Sequence, residues 1–312
     1  MIVTVTANPS VDRTYRIGTL RPGELHRADD VWAEASGKGV NVGRVLRRLG
    51  VPVRMIVTAG GGEGRLLAEL LSVAGAELVP VRGATRVNIT LLADGLEPTK
   101  INEPGTALST SEADHLIAAT AASLAGTRWL ACCGSLPGGA DPALVRRLIT
   151  IARDAGVRVA VDASGAALAA AVDGRADLVK PNRDELAELV GRPIDTVTDA
   201  IAGGREIRAR TGGTVLVSLG ADGALLLTEA GGWHAASPPV TPLNSTGAGD
   251  ALLAGYLADD TARPPARLAY AVSIGASACL AKATADLPDE LVDPARVRVR
   301  PLHEDAIPGG HP

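Results

Sequence analysis

An α/β fold, with a mostly parallel sheet doubly wound by helices on both faces, follows from two features of this chain. Short, nearly continuous apolar runs alternate with Ala/Leu/Arg-rich segments of helical period. The composition is also that of an ordinary globular protein, with 46% apolar and 21% charged residues in 312. A chain of this length buries about three quarters of its unfolded surface.

Strands are expected at residues 2–6, 53–58, 129–133, 157–162, 177–180 and 215–219, all apolar runs too short for helices. Helices are expected at 40–49, 64–74, 111–124, 142–155 and 247–258, where apolar residues recur every three or four positions. Two stretches break the alternation. Residues 12–34 and 85–103 hold short polar strands, read as a small β-sheet that projects as a lid, or else as two surface hairpins. Residues 1–302 are expected to form one domain, and 303–312, with Pro308-Gly309-Gly310, a frayed tail.

Charge and cysteine content narrow the class. Lys+Arg number 31 and Asp+Glu 35, a net charge of -4 that disfavours a general nucleic-acid binder. Cys132, Cys133 and Cys279 cannot build a disulfide framework, and the adjacent pair should point to opposite faces of one strand. The N-terminus lacks a basic leader, and no apolar run reaches the ~18 residues of a membrane span. A soluble, cytoplasmic protein with no membrane partner is expected.

The most informative stretch is Asn244-Ser245-Thr246-Gly247-Ala248-Gly249-Asp250, followed by an apolar helical run. Glycines let backbone approach a ligand closely. The helix that starts there leaves its first N–H groups unpaired and carries partial positive charge. Gly247, Ala248 and Gly249 therefore suit an anion cradle, typically for a phosphate. Asp250 at its rim suits a general base that takes a proton from a hydroxyl attacking phosphorus. The structural alternative is a turn in which Asp250 merely caps the helix.

Lys180-Pro181-Asn182-Arg183-Asp184-Glu185 closes a strand and opens a helix. Asn182 and Glu185, three apart, can face one point, which suits a hydrated Mg²⁺ beside phosphates. They equally suit a capping box, and the two readings are compatible. Ser218, Gly220 and Gly223 lie where a strand turns back; they form a hairpin turn or present backbone to a nucleotide. Gly37-Lys38-Gly39-Val40-Asn41 brings backbone, a cation and an amide to a polar substrate, and it is not a Walker A sequence. The first strand runs into Ala7-Asn8-Pro9-Ser10-Val11-Asp12 without a glycine, which counts against a dinucleotide-binding dehydrogenase. Taken singly, Asp12 and Ser135 are turn residues, and Arg86 and Lys100 are solvated cations.

In order, these segments resemble the PfkB (ribokinase-like) family of sugar kinases, from residue 2 to about 286. Segments 37–42 and 245–250 resemble its two signature regions. Lys38 between glycines, Thr85-Arg86-Val87-Asn88 and Lys100-Ile101-Asn102-Glu103-Pro104-Gly105 resemble the 1-phosphofructokinase branch, beside tagatose-6-phosphate kinase. The resemblance implies ATP-dependent phosphorylation of D-fructose 1-phosphate to fructose 1,6-bisphosphate, with Mg²⁺ and with Asp250 as base. It also implies that Asp12, Gly37 and Asn41 bind sugar hydroxyls, while Lys38, Arg86 and Lys100 grip the sugar's phosphate beside Ser135. Asn182 and Glu185 would hold Mg²⁺ through water, Ser218, Gly220 and Gly223 would line the nucleotide cleft, and two copies would pair through the lid. The alternatives are tagatose-6-phosphate kinase, 6-phosphofructokinase, and a non-catalytic sugar-phosphate-binding protein on a kinase fold.

Overall fold

A computed structural model describes residues 1–302; the expected tail, 303–312, lies outside the described residues. The strands in chain order are β1 (Ile2–Thr6), β2 (Ser10–Ile17), β3 (Asp30–Ser36), β4 (Val53–Ala59), β5 (Ala76–Pro80), β6 (Arg86–Ala93), β7 (Thr99–Asn102), β8 (Trp129–Cys133), β9 (Arg158–Asp162), β10 (Leu178–Val179), β11 (Thr214–Ser218), β12 (Ala224–Thr228), β13 (Gly231–Ala236) and β14 (Arg298–Pro301). The helices are α1 (Lys38–Arg48), α2 (Gly61–Leu71), α3 (Thr110–Ala122), α4 (Ala143–Asp154), α5 (Gly165–Asp173), α6 (Arg183–Val190), α7 (Val197–Thr211), α8 (Ala248–Ala258) and α9 (Pro264–Ala278).

Ten strands form the main sheet in the order β14-β13-β12-β11-β10-β9-β8-β1-β4-β5. Its pairings are parallel from β5 to β11, and the β11–β12, β12–β13 and β13–β14 pairings are antiparallel. The period-2 geometry of strands splits the core. Val3, Val5, Val159, Val161, Val215 and Val217 meet α3, α4, α5 and α7. Ile2, Ala131, Ala160, Leu178 and Leu216 meet α1, α8 and α9. Cys132 packs into the first cluster and Cys133 into the second, as their adjacency predicts.

Two helices of the second face, α1 and α8, hold the Lys38–Asn41 segment and Asp250. α1 lies unusually close to β1, because a side chain at Gly39 would overlap Thr6 Oγ1 and stand 2.9 Å from Val5 O. That approach delivers Lys38 and Asn41 to the end of β1. Beside α1 and α9 runs α8, with nearly all its residues buried.

The small sheet has the order β3-β2-β6-β7. β2 is antiparallel to β3 and parallel to β6, and β7 closes the edge antiparallel to β6. The register gives it two unlike faces. Asp12 stands beside Asn88, Thr14 beside Thr90, and Thr90 opposite Lys100, so these polar residues share one face with Arg86. Tyr15, Val31, Leu91, Ile89 and Ile101 share the other.

The expected elements are present, with ends displaced by up to three residues. α2 starts at Gly61 and continues as a short 3-10 turn to Ala74. Pro264 and Pro265 form the first turn of α9, where a missing N–H is harmless. No helix among the described residues is long and apolar enough to cross a membrane.

Candidate active site

In a parallel sheet every strand delivers its last residue to the same edge, and that is where α/β proteins bind ligands. Here β1 runs into Asn8 and Asp12, β8 into Ser135, β9 ends on Asp162, β10 runs into Lys180 and Asn182, and β11 ends on Ser218.

The glycine turn meets this edge. Gly247 is the N-cap of α8 with φ +83°, a conformation that favours glycine, and a Cβ there would stand 2.8 Å from the Ala285 Cβ. The Ala248 N–H donates a long 3.3 Å bond to Ser245 O, and the Thr246 N–H donates to Asn244 Oδ1 at 2.9 Å. Asp250 lies in the first turn of α8 and is 6% exposed. Asn41 Nδ2 donates to Asp250 Oδ2 at 2.8 Å, so α1 fixes the orientation of that carboxylate. Burial, reinforced by the charge of Asp162, raises the Asp250 pKa to about 7 against the opposing pull of Asn41, Lys180 and Lys38.

Asp162 is fully buried and holds two lysines: Lys38 Nζ at 2.7 Å on Oδ1 and Lys180 Nζ at 2.9 Å on Oδ2. Burial alone would raise the Asp162 pKa, but Lys180 and Lys38 outweigh it and hold the group below the ordinary aspartate value. Burial alone would likewise lower the Lys38 pKa, but Asp162 and Glu185 carry it above the usual lysine value. Lys180 Nζ faces the glycine turn, since a Cβ on Gly249 would lie 3.5 Å from it.

Glu185 closes the cluster, accepting from Lys38 Nζ at 3.1 Å. Its other oxygen accepts from the Asn182 N–H, and Asn182 Oδ1 accepts from the Glu185 N–H, both at 2.8 Å. The capping box is therefore formed. Ser218 bridges to Asn182 and its N–H donates to Pro181 O, while Gly220 lies exposed in the turn beyond. Gly223 is buried with φ +88°, and a side chain there would run into the backbone of Ala235 and Ser237. That close approach shapes the β11–β12 turn on which Gly220 lies.

The polar face of the small sheet supplies the opposite wall. Ser10 Oγ and Asn88 Nδ2 both donate to Asp12 Oδ1, at 2.7 and 2.9 Å. Asn8 Nδ2 donates to Ser135 Oγ at 3.2 Å and to Pro104 O at 3.1 Å. Arg86 Nη1 donates to Glu103 O at 3.0 Å, while its buried Nε has no hydrogen-bond partner among the described residues. Desolvation lowers the Arg86 pKa, opposed by Asp12 and Glu103. A cleft lined by Asn8, Thr58, Thr85, Arg86 and Thr106 opens beside it. Lys100 Nζ donates to Thr246 Oγ1 at 2.8 Å, across 146 positions of sequence, and so joins the small sheet to the glycine turn.

Residues 5–287 match the model of the pfkB family carbohydrate kinases. The chain belongs to that family. It is 37% identical over 287 residues to the 1-phosphofructokinase of Rhodobacter capsulatus, covering 88% of this chain and 90% of that protein. It is 38% identical over 261 residues to the 1-phosphofructokinase of Haloferax volcanii, covering 83% of each. Among solved structures it is similar to phosphofructokinase-2 from Escherichia coli in complex with fructose-6-phosphate, with a TM-score of 0.82, 31% identity, and coverage of 89% of this chain and 93% of that one. Arabidopsis thaliana ribokinase, at 20% identity and a TM-score of 0.73, shares the ribokinase-like fold over 91% of this chain and 94% of its own.

Two members of this kinase's charged cluster, Asp162 and Lys180, escape a reading of the sequence for function. Each closes an expected strand, at 157–162 and 177–180, and carries no local motif. The signal was there, because a charged residue closing an apolar strand at the C-terminal edge points into the site. Ser273 and Ser277 are fully buried and hydrogen-bonded within α9 to Tyr270 O and Ser273 O. Tyr256 is buried with the Arg267 guanidinium stacked 3.7 Å from its ring centroid, a packing role.

The donor set limits how Mg²⁺ can fit. No group of three or more His, Cys, Asp or Glu side chains among the described residues could hold a metal ion directly. Both Glu185 oxygens and Asn182 Oδ1 already accept hydrogen bonds. Their remaining lone pairs suit the water shell of an ion bound to substrate phosphates, as Mg²⁺ commonly is.

Proposed function

We propose that this kinase transfers the γ-phosphoryl group of ATP to the 6-hydroxyl of D-fructose 1-phosphate, giving fructose 1,6-bisphosphate and ADP. The observation that carries the reading is the buried Asp250 carboxylate, aligned by Asn41 in the first turn of α8. It faces a cluster that holds two lysine ammoniums, in a chain whose relatives at 37% and 38% identity are 1-phosphofructokinases.

Asp12, Gly37 and Asn41 orient the sugar. Its resident phosphate lies against Arg86, whose unpartnered Nε offers a charge-assisted donor, with Ser135 nearby. Asp250 accepts the proton of the attacking hydroxyl; a base whose pKa sits near 7 is matched to that task at neutral pH. The sugar oxygen bonds to the γ-phosphorus as the bond to the bridging oxygen of ADP breaks. The N–H groups of Gly247, Ala248 and Gly249, with Lys180 and with Lys38, offset the charge in transit. Because Asp162 and Glu185 hold Lys38, it serves the transferred group and not, as expected from the sequence, the sugar's own phosphate. Ser218, Gly220 and Gly223 border the nucleotide. Asn182 and Glu185 would hold Mg²⁺ through water, and the ion would supply charge neutralisation at the ATP phosphates.

Residues 1–302 act as one unit in this reading, with the small sheet as its lid. Val31 and Ile101, 51% and 55% exposed on the sheet's outer face, receive a second copy of the chain. Substrates of this kind place the activity in the cytoplasm.

A 6-phosphofructokinase is the second reading, favoured by the overlap with phosphofructokinase-2 in complex with fructose-6-phosphate. An assay of kcat/KM with ATP and Mg²⁺ against fructose 1-phosphate, fructose 6-phosphate, tagatose 6-phosphate and ribose separates them. Fructose 1-phosphate is expected to lead. A higher value for another ketose phosphate overturns the regiochemistry, and no turnover with any of the four overturns the substrate reading. Arg86→Ala is expected to weaken sugar-phosphate binding by about 1.5–3 kcal/mol, as for loss of a hydrogen bond to a charged group. A rise in KM for ATP alone would remove Arg86 from the sugar site.

A further inference from the structure

Two cations project from the polar face of the small sheet, and they stand far apart. Arg86 opens β6, and Lys100 on β7 lies opposite Thr90, four positions further on. At roughly 3.3 Å per residue that is about 13 Å along the strand. Arg86 is anchored to Glu103 O, near Asn8, whose amide in turn donates to Ser135 Oγ. Lys100 is anchored to Thr246 Oγ1, the residue before the N-cap of the cradle helix. One ammonium hydrogen serves Thr246, which leaves two free. β7 is an exposed edge strand with no partner but β6 among the described residues, so neither burial nor a second strand dictates where Lys100 sits.

We propose that Lys100 is a catalytic residue of the transfer step, donating from the lid's edge strand to the phosphoryl group in flight above the glycine turn and not to the phosphate the sugar already carries. The assignment rests on the phosphofructokinase reading. A product with a phosphate at each end then has one small-sheet cation at each end. Lys100 donates hydrogen bonds only; the proton of the attacking hydroxyl goes to Asp250, and ADP departs with the electron pair of the broken P–O bond. The same contact lets a nucleotide in the cradle steady the lid, because a phosphoryl oxygen and Thr246 together hold the ammonium better than Thr246 alone.

Lys100→Met and Lys100→Arg test this. Lys100 is exposed, so both variants should fold. The methionine variant is expected to lose about 10²-fold in kcat, the worth of one preorganised donor to developing charge, with the KM for fructose 1-phosphate within about twofold of wild type. Arginine should restore most of the loss. Hydrogen exchange gives a second readout: a non-hydrolysable ATP analogue with Mg²⁺, without sugar, should protect residues 97–103 in wild type and not in the methionine variant. A raised KM for fructose 1-phosphate with kcat kept, or kinetics unchanged, overturns the assignment. If wild type phosphorylates none of the four sugars, the substrate reading fails, and absence of analogue-induced protection then overturns the role of Lys100 separately.

Discussion

Asp250→Asn is expected to lower kcat by roughly 10²–10⁴-fold, the usual worth of a positioned general base, while making the folded protein more stable at neutral pH. Both effects come from one buried carboxylate. Its pKa is about 7 in the folded chain, because burial and the neighbouring Asp162 charge disfavour ionisation. In the unfolded chain an aspartate titrates near ~3.9. The folded state therefore binds the proton more tightly between these values, and stability declines as pH rises through that window. Asparagine keeps the shape without the charge, so the variant's advantage in Tm should be larger at pH 8 than at pH 5. In the wild type, kcat/KM should fall as pH drops below about 7, because only the ionised form accepts a proton. Near wild-type turnover in a folded variant would take Asp250 out of the mechanism, and a Tm difference independent of pH would contradict its burial as an ion.

Asp162→Asn should have the larger effect on folding. Lys180 is 3% exposed in its side chain and 2.9 Å from Asp162 Oδ2, so the substitution strands a buried ammonium. Breaking a buried pair by removing one partner costs about 3–5 kcal/mol, a large share of the ~5–15 kcal/mol that holds a domain together. The sign with pH is opposite to that of Asp250. The Asp162 pKa is lowered in the folded chain, so its contribution is present above the unfolded value and lost as pH falls. Urea melts of variant and wild type should differ most near pH 7 and converge in acid. Removing the Asp162 charge also relieves Asp250, so the acid limb of kcat/KM should move to lower pH. Coincident melts at pH 7 would show that the two lysines do not depend on Asp162.

The parts of the site that lie close together in sequence were legible. The glycine turn with Asp250 and the Asn182–Glu185 box are each encoded within a few positions, where spacing alone dictates who faces whom. The Lys38–Asp162 pair spans 124 positions, and no local pattern announces it. Lys100 is a similar case: its place depends on strand register, which brings it opposite Thr90 and reaches Thr246. Three helices, α5, α7 and α9, are not legible in the sequence, for two reasons. α5, Gly-Ala-Ala-Leu-Ala-Ala-Ala-Val-Asp, has no polar stripe, and α9 is buried over most of its length, so neither carries an amphipathic period. α7 contains Gly203-Gly204, poor helix formers, yet a Cβ at Gly204 would lie 2.7 Å from Leu227 Cδ1. Packing against the sheet overrode propensity there.

β1 sits inside the main sheet, covered by β4 on one edge and by β8 on the other. A chain emerging from the ribosome completes β1, β4, β5 and all four strands of the small sheet by Asn102, before Trp129 opens β8. The small sheet, with Asp12, Arg86 and Lys100, is thus synthesised before any residue of the glycine turn exists. Through that interval the β1 edge awaiting β8 stays bare, and the small sheet exists before Thr246, the residue that Lys100 meets.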